Sequence, residues 1–138
     1  LTFTPDVGSA VRNADFIQES GPERLDIKHA LIVSIESVAR AEAIIASSSS
    51  GLAISDIQAG AKYPERIVLG HPFNPSHIMP LVEVGGGRLT SPENIAKAMT
   101  FYSSTGKKVI RIVKEVKGHS RTIPAGVRDL DADIFGTR

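Results

Sequence analysis

The sequence predicts an α/β fold, a mainly parallel sheet with helices over both faces. Two observations carry that prediction. Short apolar runs alternate with amphipathic stretches along most of the chain. Several of these runs, "AIIA" at 43–46 and "RIVLG" at 66–70 among them, are apolar throughout rather than at every second residue. A strand buried on both faces reads this way, whereas a strand with one wet face alternates. No internal repeat is visible.

The elements follow in order. In "TPDVGSAVRNA", Thr4 is placed as an N-cap and Pro5 at the first helical position, with Val7, Ala10 and Val11 on one face. "DFIQES" at 15–20 suits a short strand. "SGPERLDIKHALIVSIESVAR" puts Pro22 at a helix start and acids in the first turn, where the helix dipole favours them. Ile27, Leu31, Ile35 and Val38 then make one buried stripe. "AIIA" is a buried strand running into "SSSSG", and Ile54, Ile57 and Ala61 suggest a short helix after it. "RIVLG" is a second buried strand. "LVEV" at 81–84 is a strand that alternates in side-chain character, ended by three glycines that read as a mobile turn. In "TSPENIAKAMTFYSSTG", Ser91 is the N-cap, Pro92 opens the helix, and Gly106 stops it. Its buried face is Ile95, Ala98, Met99 and Tyr102. "KKVIRIVKEV" alternates like a half-exposed strand. From Lys117 onward no period survives, and the segment reads as an irregular tail.

A chain of 138 residues supports one domain with a real core. Its net charge of +1 gives no electrostatic footprint for nucleic acid. The absence of cysteine excludes disulfides, thiolate metal sites and a cysteine nucleophile. No apolar run approaches the ~20 residues that span a bilayer, and the start has no signal-peptide layout. The expectation is a soluble, cytoplasmic protein that binds neither membrane nor nucleic acid.

Ligands of parallel sheets bind beyond the carboxyl ends of the strands. Both "SSSSG" and "GHPFNP" (70–75) fall there, so they are expected to share one crevice. His71 has the chemistry of a general base near neutral pH, and Pro72 and Pro75 are expected to fix the turn that carries it. The competing reading is an ordinary structural histidine. Glu83 either lies on the solvent face of an edge strand or faces the crevice and orients an imidazole. Ser47 to Ser50 either bond a polar ligand or cap the following helix. Glu23 and Lys28 read as solvated surface, and Asn74 as a turn residue. His29, His77 and His119 have no metal-ligand spacing, so no metal is expected. "VGGGR" resembles a phosphate cradle only superficially. Residue types alone thus give a Ser/His/Glu crevice without choosing a reaction.

"ADFIQESGPERLDIK", "IIASSSSGL" and "ERIVLGHPFNPSHIMPLVEVGGG" together resemble the 3-hydroxyacyl-CoA dehydrogenase family over about residues 4–116. "IQESGPER", "SSSSGL" and "GHPFNP" are most similar to its L-carnitine-oxidising branch. The L-gulonate branch shares the proline after the histidine and competes with it, and a 3-hydroxyacyl-CoA is a further alternative. The resemblance implies a Rossmann-like sheet, NAD as cofactor and a small 3-hydroxyacid as substrate. By the same resemblance, His71 is the base, Glu83 orients it and Ser50 bonds the reacting oxygen. Glu23, Lys28, Ser50 and Asn74 are the implied cofactor contacts.

The resemblance also has gaps. No Gly-x-Gly-x-x-Gly follows a first strand, so the element that seats a pyrophosphate on a helix N-terminus is missing. Residues 1–116 therefore read as the C-terminal portion of an NAD-binding dehydrogenase domain, incomplete at its N-terminal side. Residues 117–138 stand where relatives begin a helical dimerisation domain, and Lys117, Thr122 and Ile123 depart from that pattern. A catalytically silent remnant is the alternative to an active dehydrogenase.

Overall fold

The structure, a computed structural model, describes residues 1–115. The expected tail from Lys117 lies outside the described residues. Among the described residues five strands form one sheet in chain order: β1 (Phe16–Glu19), β2 (Ile44–Ser47), β3 (Ile67–Pro72), β4 (Leu81–Gly86) and β5 (Lys108–Arg111). The pairs β1–β2, β2–β3 and β4–β5 are parallel, while β3–β4 is antiparallel. Eight residues separate β3 from β4, too few for the dozen or so that a parallel crossover needs, so β4 returns beside its neighbour.

Among the described residues four α-helices cover the sheet: α1 (Val7–Val11), α2 (Leu25–Glu36), α3 (Ile54–Ile57) and α4 (Pro92–Ser104). Ile17, Ile45 and Ile67 pack under the first three, together with Val11, Ile32, Ile35, Ile54 and Ile57. Ile44, Ala46, Val68, Val82 and Val84 pack against Ala98 and Tyr102 of α4. Each fully buried Ile or Val contributes about 1.5–3 kcal/mol, so both layers matter to the fold. Side chains alternate across a strand. Glu19, Ser47, His71 and Glu83 therefore belong to the face under α1–α3.

Several local expectations are corrected. The N-cap of α1 is Asp6, not Thr4, because its carboxylate accepts from the Ser9 backbone N–H at 2.8 Å and from the Ser9 hydroxyl at 2.5 Å. Pro5 accordingly lies outside the helix. Helix α2 begins at Leu25 rather than at Pro22, since the Arg24 N–H bonds to the Pro22 carbonyl in a preceding turn. The deepest residues of α2 are Lys28, Ile32 and Ile35, rather than a stripe through Ile27 and Leu31. The Lys28 ammonium bonds inward to β1 and sets that rotation. Glu83 is not on an edge strand, because β4 lies between β3 and β5.

The glycines after "LVEV" are no mobile turn. Gly85 and Gly86 extend β4, and a Cβ at Gly87 would overlap Gln58 Oε1 and approach the Ser55 nitrogen to 2.6 Å. Helix α4 follows the expectation. The Ser91 hydroxyl accepts from the Asn94 N–H at 3.2 Å, Pro92 opens the helix, and Gly106 takes the left-handed conformation at φ 81° just beyond its end.

Candidate active site at the carboxyl ends of the strands

His71 is the penultimate residue of β3, and its register partner across the antiparallel pair is Glu83 of β4. Directly opposed residues share a face, so their side chains meet: His71 Nδ1 lies 3.2 Å from Glu83 Oε2. Both are largely enclosed, with side chains 16% and 12% exposed. An ionised carboxylate only accepts, so Nδ1 donates and Nε2 of the neutral ring keeps its lone pair. The Phe73 ring, 5.9 Å away and tilted by 49°, flanks the imidazole. The backbone is secured on the opposite face. Gln18 Nε2 donates at 3.1 Å to the carbonyls of Ala46 and Gly70, and the Tyr102 hydroxyl donates to Gln18 Oε1 at 2.5 Å. Burial pushes the Tyr102 phenol well above its ordinary pKa, outweighing its bond to Gln18, so it stays a neutral donor. Strand pairing and the Gln18 bridge therefore hold the backbone at His71 in place.

The serine run leaves the sheet at the same end. Ser47 lies beside Leu69 in the β2–β3 register, two residues before His71, and Ser50 follows three residues later. Ser47 Oγ donates to Glu19 Oε2 at 2.6 Å, Ser48 Oγ to Ser20 Oγ at 3.1 Å, and Ser49 Oγ to Glu23 Oε1 at 2.6 Å. Ser50 is exposed, and among the described residues its hydroxyl has no hydrogen-bond partner. Asn74 is exposed in the loop between β3 and β4. Lys107 Nζ pins that loop by donating to the Ser76 carbonyl and, at 3.0 Å, to that of Met79.

Glu23 and Lys28 are not surface residues of the ordinary kind. The Lys28 ammonium is fully buried and donates to both Glu19 oxygens, at 3.1 and 2.9 Å, and to the Gly21 carbonyl at 3.3 Å. It offers no exposed surface to a cofactor, so its reach toward one is indirect. Glu23 Oε1 accepts from the backbone N–H groups of Ser50, Gly51 and Leu52 at 3.0, 2.6 and 3.2 Å. Its Oε2 lies 3.8 Å from Lys28 Nζ. Burial raises the Glu23 pKa, but the bonds from Ser49, Gly51 and Leu52 and the charge of Lys28 outweigh it and leave the value lowered.

Sequence reading passed over Glu19. Its signal was the register of Lys28 with Ile32 and Ile35, which places a lysine on the inward stripe and demands a buried acid nearby.

The profile of the 3-hydroxyacyl-CoA dehydrogenase NAD binding domain matches residues 1–116. The chain belongs to the 3-hydroxyacyl-CoA dehydrogenase family. It is 50% identical over 118 residues to the L-carnitine dehydrogenase of Pseudomonas putida, covering 86% of this chain and 37% of that protein. The corresponding figures for the L-carnitine dehydrogenase of Mesorhizobium japonicum are 51% over 118 residues, 85% and 32%. The chain thus spans about a third of the length of these relatives.

Among solved structures, it superposes on the NAD-dependent 5-formyl-3-hydroxy-2-methylpyridine 4-carboxylic acid 5-dehydrogenase with a TM-score of 0.82 at 35% identity, over 96% of this chain and 41% of that one. The 3-hydroxybutyryl-CoA dehydrogenase of Escherichia coli gives 0.73 at 34% identity, over 75% and 22%. No described helix is long and apolar enough to cross a membrane.

Proposed function

We propose that this chain carries the base and the serine loop of an NAD-dependent dehydrogenase that oxidises a small L-3-hydroxyacid of the carnitine type to its 3-keto acid. The observation that carries the reading is the His71–Glu83 pair, with His71 at the carboxyl end of β3, the end of the sheet where β2 gives way to the Ser50 loop. Glu83 holds the Nδ1 proton, so Nε2 of His71 is the atom that takes the substrate hydroxyl proton. A base positioned in this way contributes about 10²–10⁴-fold. The Glu83 carboxylate then stabilises the imidazolium that forms. The exposed Ser50 hydroxyl donates to the substrate oxygen, and the enclosure of both His71 and Glu83 limits competition from water.

The described residues fit the nicotinamide end of NAD. Ser50 and Asn74 present exposed polar side chains at the carboxyl ends of the strands, where Rossmann-like sheets take dinucleotides. Ser50 and Asn74 would hold it, with Glu23 and Lys28 supporting from behind. NAD supplies the hydride acceptor; the protein supplies the base, the hydrogen bond to oxygen and the orientation.

The test is to replace the matching segment of the Pseudomonas putida relative with this chain and follow NADH formation. L-carnitine, L-gulonate and an L-3-hydroxyacyl-CoA are offered in parallel. Turnover is expected with L-carnitine. His71→Ala should lower it by about 10²–10⁴-fold, and Glu83→Gln by a smaller factor that falls on kcat. No NADH from any of the three substrates would identify a silent remnant. Undiminished turnover by His71→Ala would remove the base assignment.

A further inference from the structure

We propose that Glu23 is a positioning residue for Ser50. Its carboxylate engages the Ser49 hydroxyl and holds the turn 49–52 shut, leaving the Ser50 hydroxyl free at the end of β2. The inference rests on the dehydrogenase reading for what Ser50 does, but not for how the turn is held.

Three consecutive backbone N–H groups, from Ser50 to Leu52, converge on the single oxygen Oε1 of Glu23, and the Ser49 hydroxyl joins them at 2.6 Å. Convergent N–H groups of this kind form a hole for an anion, and bonds to an ionised acceptor are about twice as strong as neutral ones. The loop between β1 and α2 supplies that anion itself. Glu23 thereby ties this loop to the one that follows β2, across a gap of 27 residues in sequence.

The neighbours are arranged to allow it. Glu23 Oε1 stands 3.3 Å from the position a Cβ on Gly51 would take, so a side chain there would push the carboxylate by a few tenths of an ångström. Lys28 brings a positive charge to 3.8 Å from Oε2, and Glu19 fixes that ammonium from the other side with both of its oxygens. The remaining hydroxyls of the run are engaged: Ser47 with Glu19, Ser48 with Ser20, and Ser49 with Glu23 while also accepting from the Leu52 N–H at 3.0 Å. Without Glu23 the N–H groups of Ser50 and Gly51 would seek water, Leu52 would keep only the Ser49 hydroxyl, and that hydroxyl, left with the Leu52 carbonyl at 3.2 Å, would compete for the place Ser50 holds.

The experiment uses the 138-residue chain, labelled with nitrogen-15, as wild type, Glu23→Ala and Glu23→Gln. In Glu23→Ala, amide hydrogen exchange at Ser50, Gly51 and Leu52 should accelerate roughly ten- to a hundred-fold, while the core amides of Ile45 and Val68 keep their rates. Glu23→Gln, which keeps an oxygen and loses the charge, should fall between. Unchanged exchange at the three amides overturns the proposal. So does an equal acceleration at Ile45 and Val68, which would mean general destabilisation.

The NADH assay adds a readout that a merely structural role would not move. Glu23→Ala should lower kcat with little change in KM, and should add no further loss to Ser50→Ala. Losses that multiply overturn the coupling between the two residues. If no form yields NADH, the dehydrogenase reading fails by itself, and the exchange pattern decides whether Glu23 holds the turn.

Discussion

Replacing Lys28 by methionine tests the buried network behind the site. The Lys28 and Glu19 side chains are 0% and 2% exposed, and two of the three donations of the ammonium go to Glu19. Lys28→Met keeps the length and apolar stem of the side chain but strands an ionised carboxylate in the core. Breaking a buried pair from one side costs about 3–5 kcal/mol. With a urea slope of about 2 kcal/mol/M, a loss of about 4 kcal/mol moves the unfolding midpoint down by about 2 M.

Removing both partners would ordinarily be close to neutral, because the desolvation penalty goes with them. Here it would not be. Glu19 also accepts from the Gly21 N–H and the Ser47 hydroxyl, both at 2.6 Å, and each orphaned donor costs about 1–3 kcal/mol. Glu19→Leu combined with Lys28→Met should therefore recover only part of the loss. The assay is urea unfolding followed by far-ultraviolet circular dichroism. A midpoint for Lys28→Met within about 0.3 M of wild type would refute the reasoning, and so would a double variant as stable as wild type.

Two further outcomes follow from the same geometry. Glu23 has a folded pKa below its ordinary 4.5, so its hold on the turn is complete above that value and is lost as pH falls through the lower folded value; the Gly51 and Leu52 amide shifts should report it, and a midpoint above 4.5 would contradict it. Gly70→Ala places a methyl where the Tyr102 hydroxyl sits and 2.9 Å from the Ala46 Cβ, so it should cost about 1–3 kcal/mol in thermal unfolding. The same change should loosen the Gln18 bridge beside His71, and an unchanged melting temperature would show that Tyr102 moves aside freely.

Sequence legibility differed among the elements for physical reasons. Helix α4 was readable to the residue because its signals are local: a serine cap, a proline in the first turn and a glycine beyond the end. The starts of α1 and α2 were not, because each proline lies two or three residues ahead of its helix and local bonds, Ser9 to Asp6 and Arg24 to Pro22, set the first turn instead. In α2 the apolar residues support two overlapping stripes. Only the partner waiting on β1 decides that Lys28 turns inward, and the helix rotates with it.

The site divides in the same way. His71 and Ser50 were legible as residue types at predicted strand ends and Glu83 as a carboxylate inside a strand, and the family resemblance supplied their implied roles. That His71 and Glu83 touch depended on β4 returning antiparallel with that register, which a run of apolar residues does not encode.

By itself the sequence determined the alternation of strands and helices and the burial of the central strands. Each of these follows from local pattern, since periodicity and turn chemistry act over a few residues. The tertiary structure alone decided which serine is free, where the lysine charge goes and what the Glu23 carboxylate holds. Those choices are made by bonds between groups nine to 29 residues apart, and they exist only once the strand ends lie side by side.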